Sequence, residues 1–190
     1  MATTINADTS DGLKLTADTS GTIDLQSAGT TIATVNSTGI AMASGKTLTS
    51  DAPSFSARLT SGQSVVATTF VKILMNVETW DTNSDYDTSL SRFTPTVAGY
   101  YQFNANAFIS CPPTGRVFLL LFKNGVLKKY GGGLGTQVNG GITYNVVAQL
   151  DANGSSDYFE FFIYQEGGAN QTINPDPTLT WWDGFLARAT

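Results

Sequence analysis

Histidine is absent from all 190 residues. That absence removes the Ser-His-Asp triad, the Cys-His pair and His-ligated zinc. Cysteine occurs once, as Cys111, so no intrachain disulfide can staple the fold, and stability must come from packing or from other chains. Pro112 and Pro113 follow it and mark a strand that ends at a turn; with no histidine to activate the thiol, it reads as structural. Charge is scarce too, at 13% of residues, and 10 basic against 15 acidic groups give a net charge of −5. No basic stripe is present to neutralise phosphates, which argues against nucleic acid as a partner. Long apolar runs are also missing. The longest, Val117 to Phe122, is far too short for a membrane helix, so no membrane insertion is expected. The opening MATTINADTS lacks the basic flank and apolar stretch of a secretory signal, which makes a cytoplasm the expected place of synthesis.

Aromatic residues are missing from the first fifty positions, while all 21 of them fall between Phe55 and Phe185. We place a boundary there, with residues 1–50 as one segment and 51–190 as a second. The first segment nearly repeats itself: Asn6 to Leu15 reads NADTSDGLKL and Thr16 to Leu25 reads TADTSGTIDL. Apolar pairs recur at Leu13/Leu15, Ile23/Leu25, Ile32 or Ala33/Val35 and Ile40/Met42, followed by Leu48. Spacing of i and i+2 is strand logic, and Gly, Ser, Asp and Asn between the pairs turn the chain. One copy has too little to bury, because ordering costs about 1 kcal/mol or more per residue. Such low hydrophobicity also fits disorder, but a disordered linker has no reason to keep a period. A strand-and-turn repeat that needs neighbours is expected.

The second segment predicts strands over Phe70 to Val77, Tyr100 to Ile109, Val117 to Phe122, Ile142 to Leu150, Tyr158 to Tyr164 and Leu179 to Leu186. Turn signals such as TNSDYD, KNG, DANGSS and NPDP separate them, and no segment keeps a helical period. This pattern predicts an all-β jelly-roll sandwich of roughly eight to ten strands.

Several stretches of this segment resemble the globular head of complement component 1q, in the tumour-necrosis-factor-like superfamily. PSFSARLTSG (Pro53 to Gly62) is similar to the family's opening strand, and YDTSLSRFTPTVAGYYQF (Tyr86 to Phe103) to its central signature. FLLLFKNG (Phe118 to Gly125), DYFEFFIYQEGG (Asp157 to Gly168) and WWDGFLARA (Trp181 to Ala189) match later landmarks. Ser89-Leu90-Ser91-Arg92 stands where the family has a small Thr-Gly step. The resemblance implies a homotrimer packed through aromatic and aliphatic faces, with Phe93, Tyr101, Phe103 and Phe185 as core and trimer aromatics. The relatives' collagen stalk is missing; residues 1–50 instead resemble Ala-Asp-Thr-Ser-Gly-rich repeats of tailed-bacteriophage fibre and appendage proteins. A homotrimeric, non-enzymatic virion protein follows, made in a bacterial cytoplasm, with residues 1–50 as a trimeric stalk or as a base docked on capsid or tail proteins. It would serve as a capsid decoration, head-fibre knob or short appendage.

Two alternatives remain open. A receptor-binding tip would contact a bacterial surface glycan through loops such as Tyr130 to Gly141 and Gln165 to Pro177. A polysaccharide depolymerase would need paired carboxylates, drawn from 12 Asp and the three glutamates Glu78, Glu160 and Glu166; solvated strand positions explain Glu160 and Glu166 better. Asp81, Asn83, Asp85 and Asp87 alternate as calcium-loop ligands do, but Tyr86 and Arg92 stand where such a loop needs Gly and Glu. A loose calcium site or a solvated turn are the options there, and no other cofactor is expected. YGGGLG (Tyr130 to Gly135) reads as a flexible loop. Trp181 and Trp182, being adjacent on a strand, should face opposite sides, one into the core and one outward, where it could stack on a sugar.

Overall fold

A computed structural model of the chain describes residues 20–48, 52–110, 115–134 and 140–190. The first repeat copy with Leu13/Leu15, the second copy up to Thr19, Cys111 and positions 135–139 of the Tyr130 to Gly141 stretch lie outside the described residues. Two compact units divide the chain, Met1–Ser50 and Asp51–Thr190.

In the first unit, strands β1 (Ile23–Ser27), β2 (Thr30–Asn36) and β3 (Gly39–Met42) form an antiparallel sheet in that order. Register aligns the apolar pairs of the repeat. Val35 stands between Ile23 and Ile40, and Ala33 between Leu25 and Met42. Because partners on adjacent strands share a face, these six side chains make two apolar rows on one side of the sheet. Only Ala33 is buried, and Ile40 is 69% exposed.

The second unit begins with β4 (Ser54–Arg58), β5 (Gln63–Val65), β6 (Val71–Lys72), β7 (Val77–Asp81), β8 (Tyr86–Asp87) and β9 (Arg92–Phe93). Longer strands follow: β10 (Ala98–Ile109), β11 (Arg116–Lys123), β12 (Val126–Leu134) and β13 (Ile142–Asn153). The last are β14 (Phe159–Gln165), β15 (Gln171–Ile173) and β16 (Trp181–Ala189). One sheet runs β5-β15-β10-β16-β4-β7, with β13 along the other edge of β10; the second runs β12-β11-β14-β9-β8, with β6 also on β14. No helix occurs among the described residues, and the unit is an all-β jelly-roll sandwich.

Alternation builds the core. Tyr101, Phe103, Ala105, Ala107 and Ile109 of β10 point inward, as do Val117, Leu119 and Leu121 of β11 and Phe159, Phe161 and Ile163 of β14. Phe55 stacks on Phe93 with ring centroids 4.3 Å apart and meets Trp182 edge-on at 4.9 Å. Trp182 is fully buried while Trp181 is half-buried on the other face, as adjacency on a strand requires. Gly184 lets these rings close, because a Cβ there would sit 2.5 Å from Phe55 Cε1 and 2.9 Å from Phe103 Cδ1.

Two stretches differ from expectation. Phe70 to Val77 is not one strand: the chain pairs with β14 only at Val71–Lys72, then crosses to the other sheet, where β7 pairs with β4. Ile73 and Met75 stay buried during the crossing, and the Gln63 side chain replaces a strand partner. Its Nε2 donates to the Lys72 carbonyl at 2.6 Å and its Oε1 accepts from the Leu74 N–H at 2.9 Å. The glycine run is not a flexible loop either, since Tyr130 to Leu134 is the end of β12, laddered to β11. A Cβ on Gly131 would collide with the Asn145 carbonyl oxygen, so glycine here lets β12 close against β13 at the sandwich edge.

Candidate functional site

The acidic run spends most of its oxygens on its own loop, although Asp85 Oδ1 is buried without a hydrogen-bond partner among the described residues. Asp81 Oδ2 accepts from the Tyr86 N–H at 2.7 Å, Asp85 Oδ2 from the Thr96 N–H at 3.2 Å, and Asp87 Oδ1 from the Ser89 hydroxyl at 2.6 Å. Asn83 donates its amide to the Thr96 hydroxyl at 2.6 Å. The Ser89 hydroxyl, with the Leu90 N–H, holds the Asp87 carboxyl below its ordinary range. Among the described residues no three acidic, cysteine or histidine side chains converge on one point. Asp81, Asn83, Asp85 and Asp87 therefore act as turn caps in this arrangement.

The glutamates face cations. Glu160 is buried rather than solvated, a correction to the sequence expectation, because Oε1 accepts from Lys72 Nζ at 2.8 Å and from Arg92 at 2.9 Å. Burial opposes its ionisation, but the two cations outweigh that and hold the carboxyl below its ordinary range. Glu166 pairs with Arg116 at 2.7 Å. Glu160 on β14 and Glu166 just past its end lie six positions apart along the chain, about 20 Å, whereas a glycosidase pair needs about 5–10 Å.

The outward face of the first sheet carries exposed apolar groups among polar ones. Register places Val147, Asn104, Asp183 and Ser56 in one row and Gln149, Gln102, Phe185 and Ser54 in the next. Phe185 is 45% exposed there and Val147 67%, whereas Phe93, Tyr101 and Phe103 are in the core. Burial pushes the Tyr101 hydroxyl up to about 12, and it donates to the Val97 carbonyl at 2.8 Å.

The outward face of the second sheet is a strip of aromatics that sequence reasoning missed. Phe118 and Phe122 of β11 and Phe162 and Tyr164 of β14 point away from the core, joined by Phe70 and by Tyr130 of β12. Phe122 meets Phe162 at 4.4 Å, Phe70 meets Tyr164 at 5.3 Å, and Phe118 meets Tyr130 edge-on at 5.6 Å. A cleft of about 330 Å³ opens between Phe70, Phe118, Leu127, Tyr130 and Tyr164. A signal was available: FLLLF and FEFFIY are apolar at nearly every position, more than one buried face requires.

Sheet order, core and strand lengths define a two-sheet jelly roll, and several solved structures share that fold. The globular domain of zebrafish complement 1qA protein superposes with a TM-score of 0.51 at 18% identity, over 73% of this chain and 99% of that one. Murine APRIL gives 0.57 at 8% identity over 71% and 98%, and the Eiger TNF from S. frugiperda gives 0.53 at 8% over 73% and 93%. At such identities the likeness is one of fold. No protein-family model and no curated protein sequence matches the chain.

Proposed function

We propose that this chain is a non-enzymatic, homotrimeric structural protein of a tailed-bacteriophage virion. Residues 1–50 dock on capsid or tail proteins, and the jelly-roll head decorates the particle as a capsid decoration, head-fibre knob or short appendage. The open apolar face of the N-terminal sheet carries this reading. Ile23, Leu25, Val35, Ile40 and Met42 lie in register, Leu25 and Ile40 exposed and the other three only half-buried among the described residues, and a sheet of three short strands is marginal unless that face is buried. Two sister copies, brought close by a trimeric head, supply the cover at high effective concentration. The fibre-like composition of the repeat supports the virion setting.

Sedimentation of the full chain at several concentrations is expected to return a trimer; a monomer with a protease-resistant segment 20–48 overturns that half of the proposal. Mass spectrometry of purified particles is expected to detect the chain, and its absence from them overturns the other half. A second role, attachment to a bacterial surface glycan, is favoured by the aromatic strip, since sugar faces stack on exposed rings and three copies add avidity. Binding of host polysaccharide to the full chain tests it.

A further inference from the structure

On the face that carries Phe185, at the end of the first sheet away from β13, a pocket of about 430 Å³ opens. Ser56 and Arg58 of β4, Thr79 of β7, Trp181 and Asp183 of β16, and Pro177 from the preceding loop line it. Asp183 stands opposite Ser56 and Trp181 opposite Arg58, so alternate residues of paired strands form the walls. The volume lies at the small end of the range of ligand pockets, about 300–1,000 Å³.

The lining mixes one flat aromatic wall with converging polar groups, and two of those have capacity unspent. Asp183 Oδ1 is buried without a hydrogen-bond partner among the described residues. A buried acceptor without a donor is costly and uncommon. Arg58 forms no ion pair among the described residues, whereas Arg92 and Arg116 each hold a glutamate. Burial raises the Asp183 carboxyl above its ordinary range, and the Ser56 hydroxyl offsets this only in part. A cation and an anion thus border one cavity, leaving an acceptor and several donors beside an indole. Their charges cancel, which favours a neutral, hydroxyl-rich ring over an acid or an amine.

We infer that this pocket binds one pyranose residue of an uncharged glycan, its ring face on Trp181 and its hydroxyls shared between Asp183 and Arg58. The inference rests on the attachment reading and gives it a site distinct from the aromatic cleft. The test titrates glucose, galactose, rhamnose and N-acetylglucosamine at millimolar concentrations against the full chain. Tryptophan fluorescence and saturation-transfer NMR read binding, with oligomeric state measured in parallel. At least one sugar is expected to bind, with affinity falling about tenfold or more in Asp183→Asn and lost in Trp181→Ala. Arg58→Gln, on a different strand, is expected to weaken it likewise and serves if Asp183→Asn folds poorly. Tyr130→Ala, in the other cleft, is expected to bind normally. Binding that survives Asp183→Asn and Arg58→Gln but is lost in Tyr130→Ala overturns the pocket and leaves attachment standing. If no sugar binds while host polysaccharide does, the pocket alone falls; if the polysaccharide fails as well, both fall.

Discussion

Gly184 and Asp183 are neighbours on β16 facing opposite ways, and each carries a constraint on its own side. Gly184 faces the core, where Phe55 and Phe103 occupy the space a Cβ would need. Gly184→Ala is expected to destabilise the head by about 1–3 kcal/mol, the usual cost of overpacking, read as a lower denaturant midpoint at unchanged slope. Asp183 faces the pocket, and its folded pKa is raised, first by burial, above the ordinary 3.8. A carboxyl of this kind holds its proton more tightly folded than unfolded, so stability is greatest below pH 3.8 and declines as pH rises through the raised value. Asparagine cannot ionise. Asp183→Asn is therefore expected to raise the midpoint of thermal unfolding at pH 7 by about 2–4 °C, a modest gain because water reaches part of the group, and to leave it unchanged below pH 3.8. Paired melts at both pH values check this. Gaining stability while losing sugar affinity is the signature of a group kept for binding.

At the scale of elements, inward alternation was legible where a strand has one apolar face: Tyr101, Phe103 and Ile109 announce β10 by their spacing. It failed where the backbone is satisfied by something other than a ladder. Phe70 to Val77 looks like a strand because Ile73 and Met75 are apolar at i and i+2, yet the Gln63 amide takes the hydrogen bonds of the crossing chain. β12 was hidden because glycine carries no pattern, although Gly131 is there for the close approach of β13. The buried Glu160 was equally hidden, since Lys72 and Arg92 are far from it in sequence. In the N-terminal unit the apolar pairs were legible and their alignment was not, because register depends on a bulge between Leu25 and Gln26 that no pattern announces. Val35 sits centrally in one row of that alignment, between Ile23 and Ile40. Val35→Asp puts a charge in the middle of the face that the proposed trimer covers, so residues 20–48 are expected to lose protection in hydrogen exchange while head amides keep theirs.

For the whole molecule, the proposed trimer would couple the two units by association. The head has a complete interior of its own, rich in packed rings. The N-terminal sheet has one buried residue among its apolar six. If trimerisation is driven by the head, through the part of the outward face where Phe185 and Val147 are exposed, with the pocket at the β4–β7 end left open, the order of the leader is a consequence of that contact. Phe185→Arg separates the two. A guanidinium at a packed subunit face must be desolvated without a partner, so the variant is expected to sediment as a monomer while the head keeps its fold, because Phe185 lies outside the core. The leader then loses the effective concentration that held three copies together, and limited proteolysis is expected to cut within residues 20–48 and spare the head. A monomeric Phe185→Arg chain with an uncut leader would mean that the two apolar rows are satisfied within one copy, and the open face would no longer require sister chains.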